Sequence, residues 1–266
     1  MSTYSIEHKK YLQKIKREKW IVALFRFLII AIFLIGWEIL ARFEAINTFL
    51  SSCPSKVITT MIDLFKSGDL LKHIGITMYE VLISFLVASV IGIVVATLLW
   101  SSKFLAKIID PYLTILNSLP KVALGPLIII WVGASINSII FMALLISTFV
   151  TIINIYSGFV TTDKSYITLL KSLGATRGQI FRKVIFPSNY VNIISSLKIN
   201  ISMSLIGVIM GELLVSKSGL GYLIMYGSQV FNINLVITSV VILGVISYLM
   251  YFIVDKIETV LLRRRS

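Results

Sequence analysis

Six runs of about twenty apolar residues constrain this chain more than any other feature of its sequence. A helix of that length crosses a hydrocarbon core roughly 30 Å thick. It also satisfies its own backbone hydrogen bonds where water is absent. The sequence therefore predicts an all-α integral membrane protein with six transmembrane helices. The predicted spans cover residues 21–41, 79–100, 112–132, 139–160, 192–214 and 234–254.

The third run differs from the others because it contains Pro120, Lys121 and Pro126. Proline removes a backbone donor and clashes with the preceding turn of a helix. A lysine is costly at the centre of a bilayer. We therefore expect a kinked helix whose first part lies near the membrane interface.

Composition agrees with a membrane protein. The chain is 57% hydrophobic and 14% charged, whereas soluble domains carry about 25% charged residues. A net charge of +13 could indicate nucleic-acid binding. However, the basic residues flank the apolar runs and the aromatic residues lie inside them. The charge therefore predicts contact with a lipid bilayer and no nucleic-acid partner.

The distribution of lysine and arginine predicts which ends of the spans face the cytoplasm, because cytoplasmic segments carry the excess. Most basic residues outside the spans lie in the two tails and in the second and fourth connections, which places both termini in the cytoplasm. These residues are Lys9, Lys10, Lys14, Lys16, Arg17, Lys19, Lys103, Lys107, Lys164, Lys171, Arg177, Arg182, Lys183, Lys256, Arg263, Arg264 and Arg265. The predicted organisation is a basic tail over 1–20, one six-helix domain over 21–254, and a second tail over 255–266.

The external connection 42–78 contains a second helical pattern. Apolar residues recur at helical spacing after Pro54, which predicts a short amphipathic helix with Ser55 as its N-cap. A plain surface linker is the alternative. Cys53, the only cysteine, is interpreted as a free thiol in this segment.

The cytoplasmic connection 161–190 is not loop-like. Apolar residues recur at helical spacing in two sets, which are Tyr166, Leu169, Leu170 and Leu173, then Ile180, Phe181, Val184 and Ile185. Gly174 lies between the sets and Pro187 follows the second. Glycine permits the reversal at a helix end, so the pattern predicts a helix, a turn and a second helix. Such a knob could dock in a groove of an acidic protein partner or lie on anionic lipid.

Ionisable and polar residues inside the spans are candidates for function. Arg26 lies near the cytoplasmic end of the first span and is expected to extend to the interface. Glu80 and Glu212 lie towards the outer ends of the second and fifth spans, where we expect water to reach them. Polar groups of the fifth span either hold helices together or line a translocation path. The candidate path residues are Lys198, Asn200, Ser204 and Glu212.

Few residues are suited to covalent or metal chemistry. The two histidines, His8 and His73, are far apart, and no glycine-rich phosphate loop ending in Gly-Lys-Ser/Thr occurs. The chain is therefore predicted to be non-catalytic and to bind no cofactor. An integral membrane enzyme and a scaffold subunit are less favoured alternatives. So is an ion-driven secondary transporter, which needs an ion-coupling site.

Residues 173–181, followed by Val184-Ile185-Phe186-Pro187, resemble the cytoplasmic signature of ABC-importer permeases. That signature reads Glu-Ala-Ala, three residues, Gly, nine residues and Ile-x-Leu-Pro. Gly174 and Pro187 have the required spacing, whereas Thr168-Leu169-Leu170 replaces Glu-Ala-Ala. The segments 54–57, 119–133 and 211–224 resemble the nitrate/sulfonate/taurine branch of that family, so the resemblance extends from about residue 50 to the C-terminus.

The resemblance implies a type I ABC importer (MetI-like) permease fold in a bacterial cell membrane. It implies pairing with a second permease copy, two ABC ATPase subunits that use ATP and Mg, and an extracytoplasmic solute-binding protein. The implied ATPase-coupling residues are Gly174, Ala175, Arg177, Gln179, Phe181 and Pro187. The branch implies an alkanesulfonate, taurine or nitrate as the solute. A thiamine-pyrimidine precursor or a flavin is the alternative.

Overall fold

The computed structural model describes residues 6–263, so the predicted tail residues 1–5 and 264–266 lie outside the described part of the chain. Within residues 6–263 the chain is helical and contains no strand, which confirms the predicted all-α class. The helices are α1 (Ile6–Arg42), α2 (Thr48–Ser51), α3 (Pro54–Lys66), α4 (Asp69–Ser101), α5 (Lys103–Ser118), α6 (Gly125–Val132), α7 (Ile136–Thr161), α8 (Lys164–Ser172), α9 (Arg177–Ile180), α10 (Phe186–Ser188), α11 (Tyr190–Val215), α12 (Leu220–Gln229) and α13 (Ile233–Arg263).

Helices α1, α4, α7, α11 and α13 are each long and apolar enough to cross a membrane. The predicted third span is a broken pair, because α5 and the helical segment 121–132 meet at an angle of 85°. Leu119, which precedes Pro120, has an extended backbone with ψ 140°. Proline disfavours the helical conformation of the residue before it, so the expected kink becomes a complete break. Counting the pair as one span gives six.

Helices α1, α4 and α13 pass through boundaries that the sequence had indicated, and α13 continues to Arg263, beyond the predicted end of the six-helix domain at residue 254. Helix α4 begins at Asp69, ten residues before the predicted start of the second span. Helix α1 begins at Ile6 and passes without a break through the predicted end of the basic tail at residue 20. Polar residues continue a helix where its backbone hydrogen bonds are already formed, so hydropathy locates the apolar core of a helix better than its ends.

The chain divides into two compact units, Met1–Asp63 and Leu64–Ser266. In the first unit the carboxylate of Glu38 accepts hydrogen bonds from Arg42 (3.0 Å) and from the backbone N–H of Ser55 (3.1 Å). The predicted amphipathic helix is present as α3, but Ser55 lies inside its first turn. Cys53 occupies the cap position because its carbonyl accepts the N–H of Val57. The N-cap prediction was therefore wrong by two residues, because proline suits the first helical turn.

The second unit is built around α4, α7 and α11. Two glycines allow α11 to approach α7 closely. A Cβ atom added to Gly207 would lie 2.4 Å from the Cα atom of Ala143, and one added to Gly211 would lie 2.9 Å from that of Ile139. Such distances exclude a side chain, so these small residues serve helix packing.

Candidate functional site

The segment 161–190 folds as a helix, a turn and a second helix. The carboxylate of Asp163 caps α8 by accepting the N–H of Ser165 at 2.8 Å. This bond holds the pKa of Asp163 below its usual range. Capping satisfies a backbone donor that has no partner inside the helix. The first helix of the segment therefore has a defined start.

The turn after α8 is formed by Gly174, whose φ of +74° lies in the left-handed region. Its N–H donates to the carbonyl of Lys171 at 2.9 Å, and the N–H of Ala175 donates to that of Leu170 at 3.0 Å. These two bonds define a Schellman motif, which requires glycine or asparagine at this position. Gly174 therefore has the turn geometry that the sequence predicted.

The second helix begins with a capping box between Thr176 and Gln179. The side chain of Gln179 accepts the N–H of Thr176 at 2.8 Å, and the hydroxyl of Thr176 accepts the N–H of Gln179. A π-helical stretch, Phe181–Ile185, follows and leads directly to Pro187. Proline has no backbone N–H to donate within a helix. The wider turns of a π-helix accommodate this missing hydrogen bond. Gln179 thus stabilises the start of the helix.

One face of the segment is buried against the spans. The ring of Phe181 lies 5.3 Å from that of Trp100 and 5.5 Å from that of Phe159. Ala175 packs against the same apolar cluster. Phe181 and Ala175, predicted to lie on the docking surface, are therefore half-buried against the spans, and their role in docking stays a prediction. Their position follows from tertiary contacts that a helical repeat alone does not reveal.

Arg177 also makes a contact within the chain. Its guanidinium donates to the backbone carbonyl of Ser101 at 2.8 Å, which links the segment to the end of α4. The exposed apolar face instead consists of Tyr166 and Leu169, each about 58% exposed, and Leu173, 73% exposed. These residues belong to the first apolar set of the sequence, so their helical spacing already indicated this face.

A second set of polar groups is buried where α11 meets the start of α12. Glu212 accepts a hydrogen bond from the hydroxyl of Thr77 at 2.6 Å and one from the N–H of Gly221 at 2.6 Å. The hydroxyl of Thr77 in turn accepts the N–H of Leu220 at 2.9 Å. The imidazole Nδ1 of His73 accepts the N–H of Gly219 at 2.8 Å. Side chains of α4 and α11 thereby satisfy the free donors at the start of α12.

Gly219 is required by this arrangement. Its φ is +113°, and a Cβ atom there would lie 2.2 Å from the carboxylate of Glu212. Glu212 and its neighbour Glu80 are each 1% exposed. Both were expected to contact water, and this expectation was wrong because α4 begins earlier and α12 packs over this end of α4 and α11.

The remaining candidate path residues also have partners inside the chain. Lys198 pairs with Asp255 of α13 at 2.6 Å and with Glu258. Asn200 is fully buried and donates to the hydroxyl of Ser89 at 2.8 Å, while Ser204 donates to Asn200. These contacts join α11 to α13 and to α4. The geometry assigns these polar groups to helix association, and their role in a path stays a prediction.

Comparison with known families identifies the chain. The family described as binding-protein-dependent transport system inner membrane component matches residues 88–266. The putative aliphatic sulfonates transport permease protein SsuC of Bacillus subtilis is 28% identical over 251 residues, covering 94% of this chain and 90% of the relative. The formylaminopyrimidine transport permease protein ThiX of Halalkalibacterium halodurans is 28% identical over 230 residues, covering 86% of this chain and 91% of the relative.

Solved structures share the fold. The inward-facing methionine ABC transporter MetNI matches with a TM-score of 0.65 at 21% identity, covering 73% of this chain and 97% of that chain. A bacterial ABC transporter involved in import of the polysaccharide alginate matches with a TM-score of 0.64 at 14% identity, covering 94% of this chain and 98% of that chain. These matches confirm the predicted importer-permease fold.

Proposed function

The chain belongs to the family of binding-protein-dependent transport system inner membrane components, and from this premise we propose that it conducts a small organic anion into the cell. Its class is the permease subunit of an ABC importer. It is a non-catalytic component of the cell membrane, and a partner ATPase hydrolyses the ATP. In this proposal ATP and Mg bind to the partner ATPase.

An alkanesulfonate is the proposed solute. The observation that carries this proposal is the match to an aliphatic sulfonates permease over 94% of this chain. A thiamine-pyrimidine precursor is the second candidate, because the relative named for formylaminopyrimidine transport is equally identical over 86% of the chain. Selection of the solute is assigned to the extracytoplasmic binding protein, since the buried polar groups of α11 bond to this chain.

The proposed assembly contains two copies of this chain, two ATPase subunits and one binding protein. Two features support contact with an ATPase through the 161–190 segment. Tyr166, Leu169 and Leu173 form an exposed apolar face, and α8, which carries most of this face, begins with Lys164 and has Lys171 in its last turn. An apolar centre with a charged rim suits a protein interface. In this proposal the segment and both termini lie on the cytoplasmic side.

Uptake by the reconstituted transporter tests the proposal. Liposomes would contain this chain and its ATPase, with ATP and Mg inside and the cognate binding protein outside. Labelled taurine or another alkanesulfonate should accumulate only with hydrolysable ATP. Uptake of formylaminopyrimidine in preference to the sulfonate would reassign the solute. Uptake driven by an ion gradient without ATP would refute the importer mechanism itself.

A further inference from the structure

A cavity of about 470 Å³ lies between the 161–190 segment and the ends of α4, α5 and α7. Its floor is apolar, because Leu99, Phe159 and Ile180 line it and are each about 2% exposed or less. The side chains of Trp100 and Tyr156 also line it. Its volume falls within the range of small-molecule sites, about 300–1,000 Å³.

Four cations surround this cavity. Lys103 belongs to α5, Lys164 and Lys171 to α8, and Arg177 to α9. No aspartate or glutamate lines the cavity. None of the four cations forms an ion pair with a carboxylate in the part of the chain that the structure describes. The nearby carboxylate of Asp163 is already bonded to a backbone N–H.

Unneutralised like charges around one cavity repel each other, and an anion between them relieves that repulsion. Arg177 uses one N–H to bond the carbonyl of Ser101. A guanidinium has five donors in total, so others remain for an anionic oxygen. Lysine and arginine are the residues that bind phosphate groups in proteins. The rim of the cavity therefore suits a phosphate group.

The apolar floor indicates that the ligand has an apolar part as well. Val160 lines the cavity and is 53% exposed, and Phe104, next to Lys103, is 77% exposed. The cavity therefore opens beside apolar surface at the ends of membrane-spanning helices. Tryptophan at such a boundary is typical of the headgroup level of a bilayer. A phosphate attached to acyl chains fits both parts of the site.

We propose that this cavity binds an anionic phospholipid, with its phosphate among Lys103, Lys164, Lys171 and Arg177. Only its assignment to the cytoplasmic leaflet depends on the proposed function. The bound lipid would contact α8 and α9 on one side and α4, α5 and α7 on the other. It would thus join the coupling segment to the spans that the segment is proposed to move.

Fluorescence of Trp100 tests this proposal directly. Replacing Trp20, Trp37 and Trp131 with phenylalanine leaves Trp100 as the only tryptophan. The full-length protein would be placed in phosphatidylcholine vesicles containing a minor fraction of brominated phosphatidylglycerol or, separately, brominated phosphatidylcholine. Bromine quenches tryptophan at short range, so we expect stronger quenching by the anionic lipid at equal mole fraction.

A pair of double variants supplies the matched comparison. K164Q/K171Q removes two cations of the cavity, whereas R182Q/K183Q removes two from the same segment that do not line it. Each basic residue near anionic lipid contributes roughly fivefold in affinity. The first variant should therefore weaken the preference for phosphatidylglycerol by roughly 25-fold, and the second should leave it unchanged. Helicity by circular dichroism confirms that both variants are folded.

Three results would overturn the proposal. The first is equal quenching by the two brominated lipids. The second is relief of the quenching by inorganic phosphate, which would assign the cavity to a soluble anion. The third is loss of the quenching when the ATPase subunits bind, which would assign it to a protein interface. The measurement requires no transport, so it remains informative even if the proposed sulfonate uptake fails.

Discussion

Replacing Gly174 with asparagine adds bulk at the turn between α8 and α9 without forcing the backbone to change. Gly174 has φ +74°, and asparagine is one of the few other residues that adopt this conformation. A Cβ atom at Gly174 has no neighbour within 4 Å. The added Cβ atom therefore meets no part of this chain, so we expect a loss of function to come from contact with another protein.

Two free energies determine the expected effects: the cost to binding of the ATPase subunits and the cost to folding of this chain. Overpacking a close-packed contact costs about 1–3 kcal/mol. The affinity for the ATPase subunits should therefore fall by roughly 5- to 150-fold in the Gly174→Asn variant. Gly174→Ala adds little bulk but strains the left-handed turn by about 1 kcal/mol or slightly more. That strain is small against a folding free energy of about 5–15 kcal/mol, so both variants should remain in the membrane.

The assay combines three measurements: abundance in the membrane, binding of the ATPase subunits, and uptake per ATP hydrolysed. Gly68→Asn is the matched control, because Gly68 has φ +81° and ψ −6°, a left-handed conformation that asparagine also adopts, and has no neighbour within 4 Å. Gly68 precedes α4, and Arg177 of the 161–190 segment contacts Ser101 at the other end of α4, so the two sites are separated by a helix of 33 residues, roughly 50 Å long. Normal binding and uptake in Gly174→Asn would refute the docking assignment, as would an equal defect in both variants.

Three further predictions concern local stability. Gly219→Ala combines a strained φ with a clash against Glu212 and should lower the unfolding free energy by roughly 2–4 kcal/mol, measured by thermal unfolding in detergent. Thr77→Val leaves the buried N–H of Leu220 without its acceptor and should cost about 1–3 kcal/mol in the same assay. The lowered pKa of Asp163 means that its cap is present above the pKa of the unfolded chain. The cap is lost as pH falls through the lower folded value, seen as loss of amide-exchange protection in α8.

Each of these three predictions has its own control variant. Gly75→Ala in α4 has no neighbour within 4 Å and should not destabilise the protein. Thr97→Val removes a hydroxyl that bonds only to the carbonyl of Ile93, so it leaves no donor unpaired. Asp163→Asn retains a capping oxygen but cannot titrate, so the acid dependence of α8 should disappear. Equal effects in a variant and its control would contradict the assigned contact.

Local sequence was sufficient for features that depend on neighbouring residues. Hydropathy located the apolar spans, and the spacing around Gly174 indicated the helix, turn and helix. Local sequence was insufficient where contacts between residues far apart in the sequence determine the structure. Lys198 and Asp255 are 57 positions apart and Thr77 and Glu212 are 135 apart, so no local pattern indicates these pairs.

Local sequence also did not predict which apolar face of an amphipathic helix is buried. The 161–190 segment has two apolar sets, and the helical repeat is the same for both. Packing against Trp100 and Phe159 partly buries Phe181, whereas Leu173 remains 73% exposed. Similarly, Pro120 predicts an interruption, but the 85° angle between the two segments depends on what they pack against.

Two charged side chains of helix α11, Lys198 and Glu212, hold it to other helices. Lys198 joins it to α13, and Glu212 joins it to α4 and to the start of α12. The two attachments are 14 residues apart along the helix, roughly 21 Å. A helix held at two points behaves as a strut, because it cannot tilt at one end without shifting the groups at the other. A displacement of α11 beside α13 should therefore also shift the groups at the start of α12.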